Sequence, residues 1–312
     1  MFTNSWQSIF AEKFGDFVRR LLLTLFVLSF LYVCSPSVDP KYQKEIDDWH
    51  KDRIARLTKP DGWLSLAGLY WLKEGENTFG SDSSNDIIFP KWKAKPFLGS
   101  FFLDSGKVTV KMRYGFALNK DEKKISEIQM VNDLEGEPTI LKFGSLSWNI
   151  IKRSGNMYGV RLRDSENPLI KKFKGVERFD VNPEWRIEAK FNSYSPAKKI
   201  SIPNIIGTID EEDSPGYLEF SFDEKKYKVD VLNSGNQLFL IFSDLTNGEE
   251  TYGAGRFLMI DRPAPNGKTI IDFNKAYNPP CAFTKYATCP LPPKQNQLKL
   301  RIEAGEKKYG NH

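Results

Sequence analysis

The polar side chains best suited to hold a ligand crowd into one stretch of the last third of the sequence. Residues 272–286 read DFNKAYNPPCAFTKY, in which two prolines stand among hydrogen-bonding groups. Proline stiffens a loop, and a stiff loop can hold side chains ready for a ligand. The same groups could instead satisfy the backbone of their own loop. The candidate ligand-binding residues here are Asp272, Asn274, Tyr277, Asn278 and Tyr286.

A further candidate is Arg256, which ends the motif GAGR at 253–256. The small residues before it allow a backbone or a ligand to approach closely, and a guanidinium can clamp a carboxylate or a phosphate. A buried ion pair with Asp244 or Asp272 explains the arginine equally well. The sequence leaves both interpretations open.

Arg161 and Arg163 alternate with Val160 and Leu162. Successive side chains of a strand point to opposite faces, so the two arginines share one face. They are candidates for a paired cationic platform that binds an anion. The alternative is an ordinary strand face in contact with water.

The three cysteines indicate export and one disulfide. Cys34 ends an apolar run, whereas Cys281 and Cys289 lie eight residues apart in a proline-rich stretch. In an exported protein this leaves one cysteine for lipid attachment and an even pair for a disulfide. A reactive thiol or a metal ligand is the weaker alternative, because zinc sites usually need four ligands with close Cys or His pairs.

Histidine is scarce, and this limits the possible chemistry. Only His50 and His312 are present, so Ser-His or Cys-His nucleophilic catalysis and His-rich metal sites are nearly excluded. A histidine-free hydrolase could still use carboxylates such as Asp244 or Asp272. We expect no metal and no cofactor, and we favour binding over catalysis. The net charge of +5 is spread along the chain, which argues against a nucleic-acid partner and leaves protein partners open.

The N-terminal segment indicates a membrane tether. Residues 21–34 (LLLTLFVLSFLYVC) form an uninterrupted apolar run that follows Arg19 and Arg20. Such a run suits a signal peptide and is short for a membrane span of ~20 residues. Lipidation at Cys34, a short uncleaved anchor and ordinary secretion are the alternatives. We expect an exported protein of the bacterial cell envelope, held at the membrane by residues 1–34.

Two periodicities follow the tether. Residues 40–58 place apolar side chains at helical spacing and predict one amphipathic helix within residues 35–59. From residue 60 the period changes to two, and strands are predicted at 107–113, 186–191, 217–222 and 297–302. The predicted fold is therefore all-β, with packed antiparallel sheets as a sandwich or as two β lobes. Residues 60–308 are expected to form this β-rich domain.

Several motifs resemble a known family. The stretches 60–90, 251–258 and 272–293, together with RLRD at 161–164 and the closing residues 296–306, are similar to the signatures of the bacterial domain-of-unknown-function family 1684. The resemblance implies a fold and an envelope setting, and it implies no activity and no catalytic residue.

Three hypotheses for function follow. The first is a binding protein that holds a small polar or anionic ligand at the proline-rich loop. The second is the histidine-free hydrolase of an envelope polymer. The third is a structural or interaction protein in which the candidate side chains only hold the loop.

Overall fold

The computed structural model describes residues 38–113 and 115–310. The predictions for residues 1–34, including the lipidation of Cys34, lie outside these residues. The chain divides into residues 1–40 and residues 41–312, and the second unit contains every described strand. Neither of the described α-helices is long and apolar enough to cross a membrane.

The described residues form many short strands and few helices. The α-helices are α1 (Pro40–Thr58) and α2 (Pro168–Lys172). Short 3-10 helices occupy Trp63–Ser65, Pro183–Trp185, Phe273–Lys275, Pro280–Ala282 and Lys294–Asn296. The strands are β1 (Leu66–Trp71), β2 (Gly75–Gly80), β3 (Ile87–Ile88), β4 (Gly99–Asp104), β5 (Lys107–Met112), β6 (Ala117–Leu118), β7 (Lys124–Ile125), β8 (Glu127–Met130), β9 (Leu141–Phe143), β10 (Leu146–Arg153), β11 (Met157–Asp164), β12 (Arg186–Pro203), β13 (Ile209–Phe222), β14 (Lys225–Ser234), β15 (Gln237–Phe242), β16 (Arg256–Asp261) and β17 (Lys268–Asp272). The predictions of an all-β fold and of one N-terminal amphipathic helix are confirmed.

The strands separate along the chain into two lobes. Strands β1–β11 form the N-lobe, with one sheet in the order β1-β11-β10-β9-β6-β7 and another in the order β3-β2-β4-β5-β8. Strands β12–β17 form the C-lobe, a single sheet in the order β16-β15-β14-β13-β12-β17. Adjacent strands are antiparallel except for β2 and β3. The C-lobe sheet curls until its end strands meet, where Thr269 Oγ1 donates to the Asp261 carbonyl at 2.8 Å.

Each lobe has its own apolar core, built from the inward-facing residues of its strands. In the N-lobe, Phe79 stacks on Phe101 with ring centroids 4.4 Å apart and meets the buried Trp148 edge-on. In the C-lobe, Phe242 and Phe273 are fully buried and lie edge to face. Burying side chains of this size contributes about 1.5–3 kcal/mol each.

Three of the four predicted strands are found, and one prediction is wrong. The segments 107–113, 186–191 and 217–222 lie in β5, β12 and β13, whereas residues 297–302 form no strand. Leu298 and Ile302 are buried as their alternation suggested. The segment makes one isolated parallel bridge, Ser243 with Gln297, and its last residue bonds to side chains. The Ile302 amide donates to Asp244 Oδ1 at 3.3 Å, and the Ile302 carbonyl accepts from Arg256 at 3.0 Å.

A proline-rich loop, residues 279–293, lies between the two lobes. On one side Ala287 and Cys289 pack with apolar residues of the C-lobe sheet. On the other side Thr288 accepts a hydrogen bond from Arg161 of β11. Ala282 and Phe283 pack against Leu57 near the end of α1. Helix, N-lobe and C-lobe therefore meet at this loop, which is the structural setting of the candidate site.

Candidate functional site

The candidate site lies on the face of β11 that points away from the N-lobe core. Val160 and Leu162 enter that core, so the alternation of the strand turns Arg161 and Arg163 to the other face. Strands β1 and β10 flank them: Arg161 lies between Leu69 and Asn149, and Arg163 lies between Leu66 and Ser147. The RLRD motif thus presents both guanidinium groups toward the seam between the lobes.

The two arginines are held by neutral groups. Arg161 Nη2 donates to Thr288 Oγ1 at 3.2 Å, and its guanidinium carbon lies 5.8 Å from the ring centre of Trp63. Arg163 Nη1 donates to Asn149 Oδ1 at 3.0 Å. The Nε atoms of both arginines are buried and have no hydrogen-bond acceptor among the described residues.

No carboxylate of the described residues lies within ion-pair distance of Arg161 or Arg163, and this sets them apart. Two other arginines are as deeply buried as Arg161, and each has an acid: Arg53 bonds to Glu306 at 3.2 Å and Arg256 bonds to Asp244 at 2.6 Å. Arg161 is only 7% exposed. Charges this deeply buried are normally paired, so an unpaired guanidinium here requires an explanation.

Burial lowers the pKa of both Arg161 and Arg163. Burial, with smaller contributions from the charges of Arg153 and Arg163, lowers the pKa of Arg161 to about 10. Burial also lowers the pKa of Arg163, and the negative charge of Asp61 opposes this shift. Arg161 nonetheless remains charged at neutral pH. The negative charges of Asp133 and Asp61 act on Arg161 and Arg163 respectively, but neither acid forms an ion pair with them.

Thr288 connects these arginines to a third one. Its hydroxyl accepts from Arg153 Nε at 3.1 Å as well as from Arg161, while Arg153 is paired with Asp133 at 2.9 Å. Thr288, Asn149 and Trp63 were not among the residues singled out in the sequence. Thr288 lies in the proline-rich stretch, and Asn149 is a polar residue in an otherwise buried strand, which is the signal that could have identified it.

A cavity of about 800 Å³ lies between the N-lobe and the proline-rich loop, and neither Arg161 nor Arg163 is among the residues that line it. Leu66, the register partner of Arg163, lies in its wall. The loop contributes polar side chains to the opposite wall, and Tyr252 closes it from the C-lobe. Lys93 also lines the cavity, but its charge is shared between Asp164 at 2.7 Å and Glu166 at 3.0 Å. The loop residues that line the cavity are Cys281, Phe283, Thr284, Lys285 and Tyr286.

Arg256 takes the structural role that the sequence left open beside ligand binding. Arg256 is 0% exposed and forms the buried ion pair with Asp244 that the sequence left open. It also donates to the carbonyls of Ala304 and Ile302. Asp244 is equally enclosed, so it cannot reach a polymer substrate as the hydrolase hypothesis required.

Four residues of the 272–286 stretch hold the structure together. Asp272 accepts from Tyr42 at 2.9 Å, and Asn274 donates to the Asn182 carbonyl at 2.9 Å. Asn278 donates to Glu306 and to the Lys307 carbonyl, both at 2.7 Å. Tyr277 lies under the guanidinium of Arg53, 4.7 Å from its ring centre. The structural role that the sequence left open fits Asp272, Asn274, Tyr277 and Asn278 better than ligand binding does.

Tyr286 and the arginine pair remain candidates. Tyr286 lines the cavity, whereas Arg161 is buried and Arg163 is half-buried on the same strand face. Cys281 and Cys289 are free thiols in this structure. The Cys281 amide donates to Cys289 Sγ at 3.1 Å, so the two residues are adjacent, and their disulfide stays a prediction.

Comparisons with known proteins find a similarity to one family over part of the chain and no activity. Residues 171–307 match the model of a family described as "Protein of unknown function (DUF1684)". This confirms the resemblance for the C-lobe and the proline-rich loop, whereas β1–β11 lie outside the matched residues. No curated protein matches the chain.

One similar solved structure is the solution NMR structure of an uncharacterized protein from Haloarcula marismortui. It is 27% identical with a TM-score of 0.38, and the match covers 46% of this chain and 80% of that one.

Proposed function

We propose that this chain is a binding protein of the cell envelope that holds a small anionic ligand with Arg161 and Arg163. The observation that carries the proposal is that the buried Arg161 and the half-buried Arg163 lack a carboxylate partner within ion-pair distance among the described residues, whereas Arg53 and Arg256 each have one. An anion bound at the seam supplies the missing partner. The proposal keeps the predicted ligand class and moves the site from Arg256 to β11.

The energetics favour an anion here. A buried ion that lacks a partner costs several kcal/mol, and arginine cannot escape this cost by losing its proton near neutral pH. Hydrogen bonds between guanidinium groups and oxyanions are among the strongest in proteins. Two residues apart on a strand, the arginines start ~6.6 Å from each other, a spacing that one phosphate, sulfate or carboxylate group can bridge.

The contacts that the loop makes with Arg161 allow an anion to bind and to leave. Thr288 uses one donor of Arg161, and a hydroxyl is readily exchanged for an oxyanion because the charged acceptor bonds more strongly.

The location is part of the same proposal. The apolar run 21–34 supports export and attachment to a membrane, either through lipid on Cys34 or through the run itself. A tether of this kind would keep the β-rich domain in the envelope, where anionic polymers and lipid head groups are abundant.

The test is a thermal-shift screen of the full chain in mild detergent. The panel contains phosphate, sulfate, citrate, sugar phosphates, uronic acids, nucleotides and phospholipid head groups, each against chloride at equal ionic strength. A ligand at ~100 times its dissociation constant stabilises by about 2.7 kcal/mol.

We expect at least one anion to stabilise the wild type and the control Arg262→Met, whose arginine is exposed. It should not stabilise Arg161→Met or Arg163→Met. Equal shifts in all four proteins, or no shift in any, would remove the proposal.

A further inference from the structure

The two cysteines of the proline-rich loop differ in their access to the cavity. Cys281 is half-buried and lines the cavity between the lobes. Cys289 is 2% exposed and packs against the C-lobe, with its sulfur 3.1 Å from the Cys281 amide. One thiol can therefore meet a molecule in the cavity, and the second lies directly behind it.

Tyr252 completes the group. It comes from the turn before β16 and lines the same cavity, and its phenol contributes to lowering the pKa of Cys281. The cavity thus contains a thiol with two polar neighbours, Cys289 and Tyr252, and space of about 800 Å³ in front of it.

We propose that Cys281 and Cys289 are a redox-active thiol pair, in which Cys281 attacks a disulfide that enters the cavity and Cys289 resolves the product. The pair is distinct from the arginine site and goes beyond the anion-binding proposal. A purely structural disulfide, which the sequence predicted, does not require one of its sulfurs to face a cavity of this size.

The exchange needs no reactant other than the disulfide, written RS–SR, and its atoms and electrons balance. The Cys281 thiolate attacks one sulfur of RS–SR, forms Cys281–S–S–R and releases RS⁻. Cys289 then loses its proton to RS⁻ and attacks the Cys281 sulfur. The second RS⁻ leaves and is protonated by the proton that Cys281 lost to solvent. Two protein thiols are oxidised to one disulfide, and RS–SR is reduced to two thiols.

The acidity of the two thiols supports these roles. The hydrogen bond from the Cys289 thiol, followed by the one from Tyr252, lowers the pKa of Cys281 against the opposing effect of burial. The same contact with Cys281, together with burial, raises the pKa of Cys289. The thiolate is the nucleophile in disulfide exchange, so Cys281 is the thiol that is ready to attack.

The first test needs no substitution at the pair. The full chain carrying Cys34→Ala is reduced, freed of reductant and treated with limiting iodoacetamide between pH 5 and 9, and the modified peptides are mapped by mass. We expect Cys281 to be modified at least tenfold faster than Cys289 at pH 7. Equal rates at the two cysteines would overturn the proposal.

The second test follows the exchange with oxidised glutathione as the disulfide. The reduced parent should form the 281–289 disulfide, Cys289→Ser should accumulate glutathione on Cys281, and Cys281→Ser should form neither product. Tyr252→Phe should shift the pH profile of Cys281 alkylation to higher pH, since it removes a stabilising hydrogen bond.

Two results would contradict the exchange. One is a glutathione adduct on Cys289 in Cys281→Ser. The other is a 281–289 disulfide that resists millimolar dithiothreitol in the folded protein. Neither result affects the anion screen, so the two proposals fail separately.

Discussion

Replacing Arg161 with methionine should stabilise the protein in the absence of ligand. Arg161 is enclosed and has no acid partner, while methionine keeps much of the aliphatic stem and carries no charge. Most buried charges destabilise a protein when they are removed, because their partner is left unpaired. Arg161 has no charged partner to leave behind.

The magnitude follows from its surroundings. The pKa of Arg161 falls from 12.5 to about 10, and at 1.36 kcal/mol for each pKa unit the buried charge costs about 3 kcal/mol. The substitution also removes the hydrogen bond to Thr288 and the contact with Trp63, about 1 kcal/mol each. The expected net gain is about 1 kcal/mol. Because Arg161 is charged in both native and unfolded states from pH 5 to 8, the gain should not vary with pH in that range.

The assay is urea unfolding followed by tryptophan fluorescence, with Arg256→Met as the matched control. Arg256→Met leaves Asp244 buried without a partner and should lose about 3–5 kcal/mol. The two substitutions are chemically identical and should act in opposite directions. If Arg161→Met instead loses as much stability as Arg256→Met, then Arg161 has a native partner and the reasoning behind the anion site is refuted.

Three further predictions follow from single residues. Gly255 has φ +94°, and a Cβ there would lie 2.4 Å from Pro292 Cγ, so Gly255→Ala should cost about 1–3 kcal/mol in urea unfolding. Gly253→Ala, whose Cβ would meet nothing within 3.6 Å, should stay within about 0.5 kcal/mol; equal losses would contradict the account of this motif. Burial, then the charges of Arg178 and Arg53, lowers the pKa of His50. As the pH falls through about 6.5, His50 therefore binds a proton in the unfolded state before it does so in the native state. The wild type should lose stability below that pH relative to His50→Gln. Parallel pH profiles of the two proteins would show that His50 is not responsible. If Cys34 carries lipid, Cys34→Ala should move the protein from the membrane fraction to the soluble fraction, whereas retention would indicate an uncleaved anchor.

The regular parts of the fold could be predicted because their patterns are local. The helix at 40–58 and the strands at 107–113, 186–191 and 217–222 follow from side-chain spacing alone. The segment 297–302 has the same alternation and forms only an isolated bridge to Ser243, while Arg256 and Asp244 bond to the backbone of Ile302. These partners are more than forty residues away along the chain, so no local pattern could reveal them.

In the candidate site, too, local patterns could be predicted and long-range contacts could not. Alternation placed Arg161 and Arg163 on one face, and the structure agrees. Whether that face meets water or a loop depends on how the two lobes pack, which spacing does not encode. For Arg256 a clamp and a buried ion pair are equally consistent with the sequence, and the 2.6 Å contact with Asp244 favours the ion pair.

The central claim is tested most directly by crystals of the full chain grown with selenate, an anomalous scatterer of the same shape as sulfate and phosphate. The account predicts an anomalous peak within hydrogen-bonding distance of both the Arg161 and Arg163 guanidinium groups, absent in Arg161→Met crystals grown in the same way. A carboxylate of the protein beside these arginines, or a seam without a peak while selenate occupies other positions, would contradict it.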